Sequence, residues 1–107
     1  MVNAKLEFLR MTGGKHNVKC AWVFYSENSF YDDEGDERYD LPVDYTEEQW
    51  NNFLEALDFD YDAGFGTQML DGTVWFHSGN WLDRDEYDGS EWWVYRQAPK
   101  IPSVLLR

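Results

Sequence analysis

With one cysteine, Cys20, the chain has no intrachain disulfide. No stretch approaches the roughly 20 apolar residues a transmembrane helix needs, and the opening MVNAKLEFLR lacks an apolar run of signal-peptide length. A soluble, cytoplasmic protein is the expectation. Positive charge is scarce, with nine Lys and Arg against 21 Asp and Glu, for a net charge of −12. Such a chain is repelled by nucleic acid and by anionic membranes, so neither is expected as a direct partner. Histidine is scarcer still. His16 and His77 fall in different segments, neither inside a catalytic motif. Ser26, Ser29, Ser78 and Ser90 lack a nucleophile-elbow context, and Cys20 sits in an apolar run as a small hydrophobe would. No enzyme and no cofactor are expected.

Aromatic residues are abundant. Six Trp, seven Tyr and seven Phe among 107 residues argue for a folded chain rather than an acidic disordered one. The length suits one globular domain over residues 1–107 with a single core. The charge is unevenly placed: residues 1–26 carry +3, residues 27–62 hold fourteen carboxylates against Arg38 alone, residues 63–95 carry −5, and residues 96–107 return to +3. Within this pattern, FYDDEGDERYDLPVDYTEEQ (30–49) has nine carboxylates in twenty residues.

Local patterns predict an α+β fold. Ala4, Leu6 and Phe8 alternate with Lys5 and Glu7, the period of a strand. TGGKHN (12–17) reads as a turn, and VKCAWVFYS follows with Val18, Cys20, Trp22 and Phe24 on one face. These segments predict an N-terminal hairpin. TEEQWNNFLEALD predicts a helix, with Thr46 and Gln49 as a capping box, Glu47 and Glu48 where the helix dipole favours anions, and Trp50, Phe53, Leu54 and Leu57 as one apolar stripe. Beyond it, short β-rich runs separated by DG (71–72), SGN (78–80) and DGS (88–90) predict an antiparallel meander. Pro99 and Pro102 end the pairing. The expected architecture is an antiparallel sheet, built from the N-terminal hairpin and C-terminal meander, with one amphipathic helix packed on one face.

The acidic block can act as a binding surface or as a solvated loop. In an extended segment, residues i and i+2 point the same way roughly 6.6 Å apart, on the scale of phosphate spacing along a nucleic-acid strand. Asp58, Asp60 and Asp62 form one such row, and Asp83 with Asp85 another. With Asp32, Asp33, Glu34, Asp36, Glu37, Asp40, Glu47 and Glu48 they would attract a protein that normally holds nucleic acid in a Lys/Arg groove. Tyr31 and Tyr61 are the aromatic anchors expected beside them. A calcium loop is the competing use of Asp58, Asp60 and Asp62, but Ala63 stands where an EF-hand needs glycine and Met69 where it needs glutamate. No metal site is therefore expected.

The stretch WLDRDEYDGSEWW, as W-L-x-R-x-E-Y-D-G-S-E-W-W, resembles the C-terminal part of small acidic proteins encoded by bacteriophages. In size and acidity the chain is also similar to phage anti-defence proteins, the anti-CRISPR and anti-restriction DNA mimics. That resemblance implies an inhibitor acting in the host cytoplasm. Its partner would be a host protein with a basic nucleic-acid-binding groove, a CRISPR effector or restriction nuclease. The same physics would serve an immunity protein or antitoxin against a basic nuclease toxin. A calcium-binding module and a structural phage module complete the alternatives. The Trp-rich strand 91–95 also offers an edge for pairing with a second copy, giving a homodimer.

Overall fold

A computed structural model describes residues 1–26, 37–64 and 68–106. In chain order these form β1 (Val2–Asn3), α1 (Ala4–Thr12), a 3-10 turn (Lys15–Asn17), β2 (Val18–Tyr25) and β3 (Glu37–Leu41). Helix α2 (Glu47–Ala56) follows, then β4 (Asp60–Tyr61), β5 (Leu70–Phe76), β6 (Trp81–Tyr87), β7 (Ser90–Arg96) and a second 3-10 turn (Ser103–Leu106). Every strand pair is antiparallel. Strands β3-β2-β5-β6-β7 make a five-stranded sheet, and β1 pairs with β4 as a separate ribbon. The α+β class and the β5-β6-β7 meander match the expectation from sequence.

The N-terminal hairpin does not form, because residues 4–12 are helical. The buried positions of α1 are Ala4, Glu7, Phe8 and Thr12, while Leu6 is exposed. That is a helical stripe, hidden in the sequence because one of its members is charged. The ends are fixed locally. Asn3 Oδ1 accepts the Leu6 backbone N–H at 3.0 Å, and Gly13, at φ 77°, returns its N–H to the Leu9 carbonyl. Glycine takes this left-handed C-cap without a Cβ penalty. The hairpin partner of β2 is instead β3, with Ala21 opposite Leu41 and Val23 opposite Tyr39.

A register shift between Val18 and Cys20 divides β2 differently from the apparent alternation. Val18, Ala21 and Val23 are buried, and Cys20, Trp22 and Phe24 share the opposite face. Asp71-Gly72, a turn by composition, lies inside β5. A Cβ on Gly72 would come 2.5 Å from the Trp22 carbonyl oxygen and 3.1 Å from Trp93 Cη2. Glycine is there to admit a backbone and a ring. Asp88-Gly89, at φ 52° and 88°, does turn the chain between β6 and β7, the signs of a type I′ hairpin.

Helix α2 starts at the full capping box expected of Thr46 and Gln49. Its Trp50 and Phe53 meet Phe8 of α1, whose ring stands edge-on to Phe53 with centroids 5.4 Å apart. Both helices pack on one sheet face, against Ala21, Val23, Leu41, Val74, Leu82 and Trp93. Each large side chain so buried contributes about 1.5–3 kcal/mol of transfer free energy.

One charged cluster lies inside this core. The Arg84 side chain has no solvent exposure; Nη2 donates to Glu91 Oε1 at 2.6 Å, Nη1 lies 3.4 Å from Glu7 Oε1, and Nε donates to the Leu70 carbonyl. Glu91 also accepts the backbone N–H groups of Met69 and Leu70. The Tyr61 hydroxyl donates to Glu7 at 2.5 Å. The guanidinium lies over the Trp93 ring, 5.0 Å from its centroid. This cluster ties α1, β4, β6 and β7 together.

Candidate protein-binding face

The alternation that buries Val23, Val74, Leu82 and Trp93 sends their neighbours to the other side of the sheet. Register places Cys20, Trp75, Trp81 and Arg96 across the strands in one row. A second row runs Asp40, Trp22, Thr73, Asp83 and Val94. A third contains Arg38, Phe24 and Asp71, and Asp85 stands opposite Trp92 at the far side. None of these residues is buried, and neither helix packs over them. Four of the six tryptophans therefore line an open face, with Trp75 and Trp92 each 40% exposed. Exposed aromatic surface is the raw material from which interaction sites are built.

Carboxylates are set among the rings. Asp83 accepts Trp81 Nε1–H at 3.0 Å and the Thr73 hydroxyl at 3.3 Å, and it pairs with Arg96 at 3.5 Å. Asp40 pairs with Arg38 Nε at 2.9 Å, and the Arg38 guanidinium lies 4.9 Å from the Trp22 ring centroid. Asp71 and Asp85 accept only the backbone N–H of the next residue among the described contacts. This is a face of flat rings and anions, suited to flat or extended cationic groups.

The residues predicted from sequence are dispersed. Tyr31, Asp32, Asp33, Glu34 and Asp36 lie outside the described residues. Glu37 and Asp40 are on β3, and only Asp40 shares the open face. Glu47 and Glu48 are in the first turn of α2, where Glu47 is paired with Lys15. Asp58 and Asp60 converge on Asn3, whose Nδ2 donates to each at 3.1 Å. Asp58 also pairs with Lys5 at 3.3 Å, and the hydrogen bond from Asn3 followed by that from Lys5 lowers its pKa. Asp62 accepts from the Gly64 backbone. Tyr61 is 1% exposed, so its ring is a core element and presents no surface to a partner. Burial, and then its bond to Glu7, push its pKa up.

The two carboxylates that would open a calcium loop, Asp58 and Asp60, are turned toward the Asn3 amide. No group of three or more His, Cys, Asp or Glu side chains placed to hold a metal occurs among the described residues. His16 and His77, distant in sequence, are brought together because the His77 backbone N–H bonds the Asn17 carbonyl. They line a cleft of about 590 Å³ with Lys15, Lys19, Asp44 and Tyr45. Burial pushes the Cys20 thiol above its ordinary value, away from the thiolate form. No helix is long and apolar enough to cross a membrane among the described residues.

Sequence reasoning passed over most of the open face. Trp22, Trp75, Trp81, Asp71 and Arg38 were readable only as core or loop until register placed them side by side. The signal was there in part: Trp92 and Trp93 are adjacent in a strand, so one of them must face away from any one-sided core. Comparisons of the chain with family models, with curated proteins and with solved structures return no match.

Proposed function

We propose that the chain is an inhibitory binding protein of the phage anti-defence type. It docks by the open sheet face on the basic nucleic-acid-binding surface of a host nuclease, a CRISPR effector or restriction enzyme. The observation that carries this reading is the uncovered face on which Trp22, Trp75, Trp81 and Trp92 stand among Asp40, Asp71, Asp83 and Asp85. Tryptophan anchors supply desolvated contact area, which charge alone does not. The net charge of −12 steers a cationic target toward the face and keeps nucleic acid away. Bound there, the protein blocks the groove by occupying it, with no chemistry required.

The test is a panel of purified host CRISPR effectors, restriction nucleases and basic nuclease toxins, assayed for DNA binding and cleavage as the chain is titrated in at low and high salt. Inhibition of a defence nuclease that weakens with salt is the expected result. Asp85→Lys should slow association, and Trp92→Ala should speed dissociation. A panel in which only a toxin is neutralised identifies an immunity protein instead. Inhibition untouched by either substitution would show that the open face is not the interface.

A further inference from the structure

We propose that the cross-strand pair Trp92 and Asp85 is an unfilled arginine site, so that the open face selects arginine over lysine on its partner. This inference rests on the proposed docking to a basic surface and names the group that is gripped. It starts from a second pair on the same face. Trp22 and Asp40 stand directly opposite each other on β2 and β3, and Trp92 and Asp85 stand directly opposite each other on β7 and β6. Such partners have Cβ atoms about 5 Å apart. Both pairs point away from the helices, and both put an indole ring beside a carboxylate.

The first pair is occupied. Arg38, two residues before Asp40, lays its guanidinium over Trp22 at 4.9 Å and gives Nε–H to Asp40 at 2.9 Å. In the second pair the position two residues before Asp85 is Asp83, which cannot supply a cation. The arginine on the same face of β7, Arg96, is held by Asp83. Among the described residues no cation lies over Trp92, a residue 40% exposed, and the only hydrogen bond to the Asp85 carboxylate comes from the Glu86 backbone. The ring and the anion are in place, and the guanidinium is to come from outside.

Arginine fits this geometry better than lysine does. Its planar, weakly hydrated fork stacks on the indole while its N–H groups remain directed at the carboxylate, whereas a lysine ammonium is a compact, strongly hydrated point charge. The buried Arg84, over Trp93 and bonded to Glu91, repeats the combination in the core.

Two synthetic peptides of equal length and charge, one with arginine and one with lysine, test the inference by tryptophan fluorescence and by the indole N–H resonances. The arginine peptide should bind on the order of tenfold more tightly, the factor that about 1.4 kcal/mol of stacking and fork bonding provides. It should move the Trp92 indole resonance. Trp92→Ala and Asp85→Asn should each abolish the preference, and Trp92→Phe should keep part of it. Arg38→Ala should open the Trp22–Asp40 pair and add a second arginine-peptide site. Equal affinity for the two peptides overturns arginine selection while leaving docking to a basic surface intact. An arginine preference that survives both Trp92→Ala and Asp85→Asn overturns the assignment to this pair. If neither peptide binds while a nuclease is still inhibited, the inference fails and the proposed function stands; if the nuclease also escapes, both fail.

Discussion

Two arginines lie over tryptophan rings on opposite faces of one sheet. Arg84 is sealed between the sheet and α1, over Trp93, with Glu7 and Glu91 as its anions. Arg38 lies in the open, over Trp22, with Asp40 as its anion and 58% of its side chain exposed. The contacts are alike in kind, and the surroundings decide what they are worth. In the core, the Arg84 charges have lost their water and depend wholly on one another, so removing one strands the rest. On the open face, water screens the Arg38 pair, and the net gain is about 0–1 kcal/mol. The buried version is a strut. The exposed one is a contact that a partner's side chain can replace.

Breaking the buried member should have the largest effect. Arg84→Ala leaves Glu7 and Glu91 without their cation and should cost about 3–5 kcal/mol in urea unfolding, against less than about 1 kcal/mol for Arg38→Ala. Adjacent residues sharpen the contrast further. Trp93→Ala opens the core and should cost about 3–5 kcal/mol, while Trp92→Ala, one position away, should shift stability by about 1 kcal/mol or less. Similar losses for the two tryptophans would mean that the open face is covered in solution.

Gly72→Ala comes next. Its Cβ would press on the Trp22 carbonyl oxygen at 2.5 Å, where the obstacle is backbone, and overpacking of this kind costs about 1–3 kcal/mol. Because the Trp93 ring lies against Gly72, 3.1 Å from where a Cβ would stand, the same substitution should perturb near-ultraviolet tryptophan signals. The last effect is confined to alkali. Tyr61 has its pKa raised by burial and by Glu7, above the ordinary value of 10 that it has in the unfolded chain. The folded state therefore holds the proton longer. Tyr61 contributes its stabilisation in full below about pH 10 and loses it as pH climbs beyond, by up to about 1.4 kcal/mol per pH unit. Tyr61→Phe should flatten that part of the stability curve relative to the parent chain.

The parts of this molecule governed by local chemistry were legible in the sequence. The capping box at Thr46, the stripe of α2 and the Asp88-Gly89 turn are each fixed by residues within a few positions of one another. Helix α1 was not, since its burial stripe includes Glu7, and a carboxylate reads as core only once Arg84, 77 residues away, is known to meet it. The 71–72 turn failed for a related reason: Gly72 answers to Trp22 and Trp93 rather than to its neighbours. Of the predicted interface, Asp40 falls on the open face, whereas Tyr61 is a core residue. Yet one signal went further than it was taken. Arg38 is the only cation in residues 27–62 and Arg84 the only one in residues 63–95, and these two are the arginines found against tryptophan. A lone cation in an acidic stretch is a residue with a specific place to be.

The period of two in β6 and β7 has a consequence for how such a protein can change. Positions 82, 84, 91 and 93 hold the fold together, while positions 83, 85, 92 and 94 meet whatever lies outside. Mutation can therefore rewrite the grip one residue at a time while its immediate neighbours keep the structure standing. A domain of this size has few spare residues, and interleaving the two tasks along a single strand lets one vary without the other.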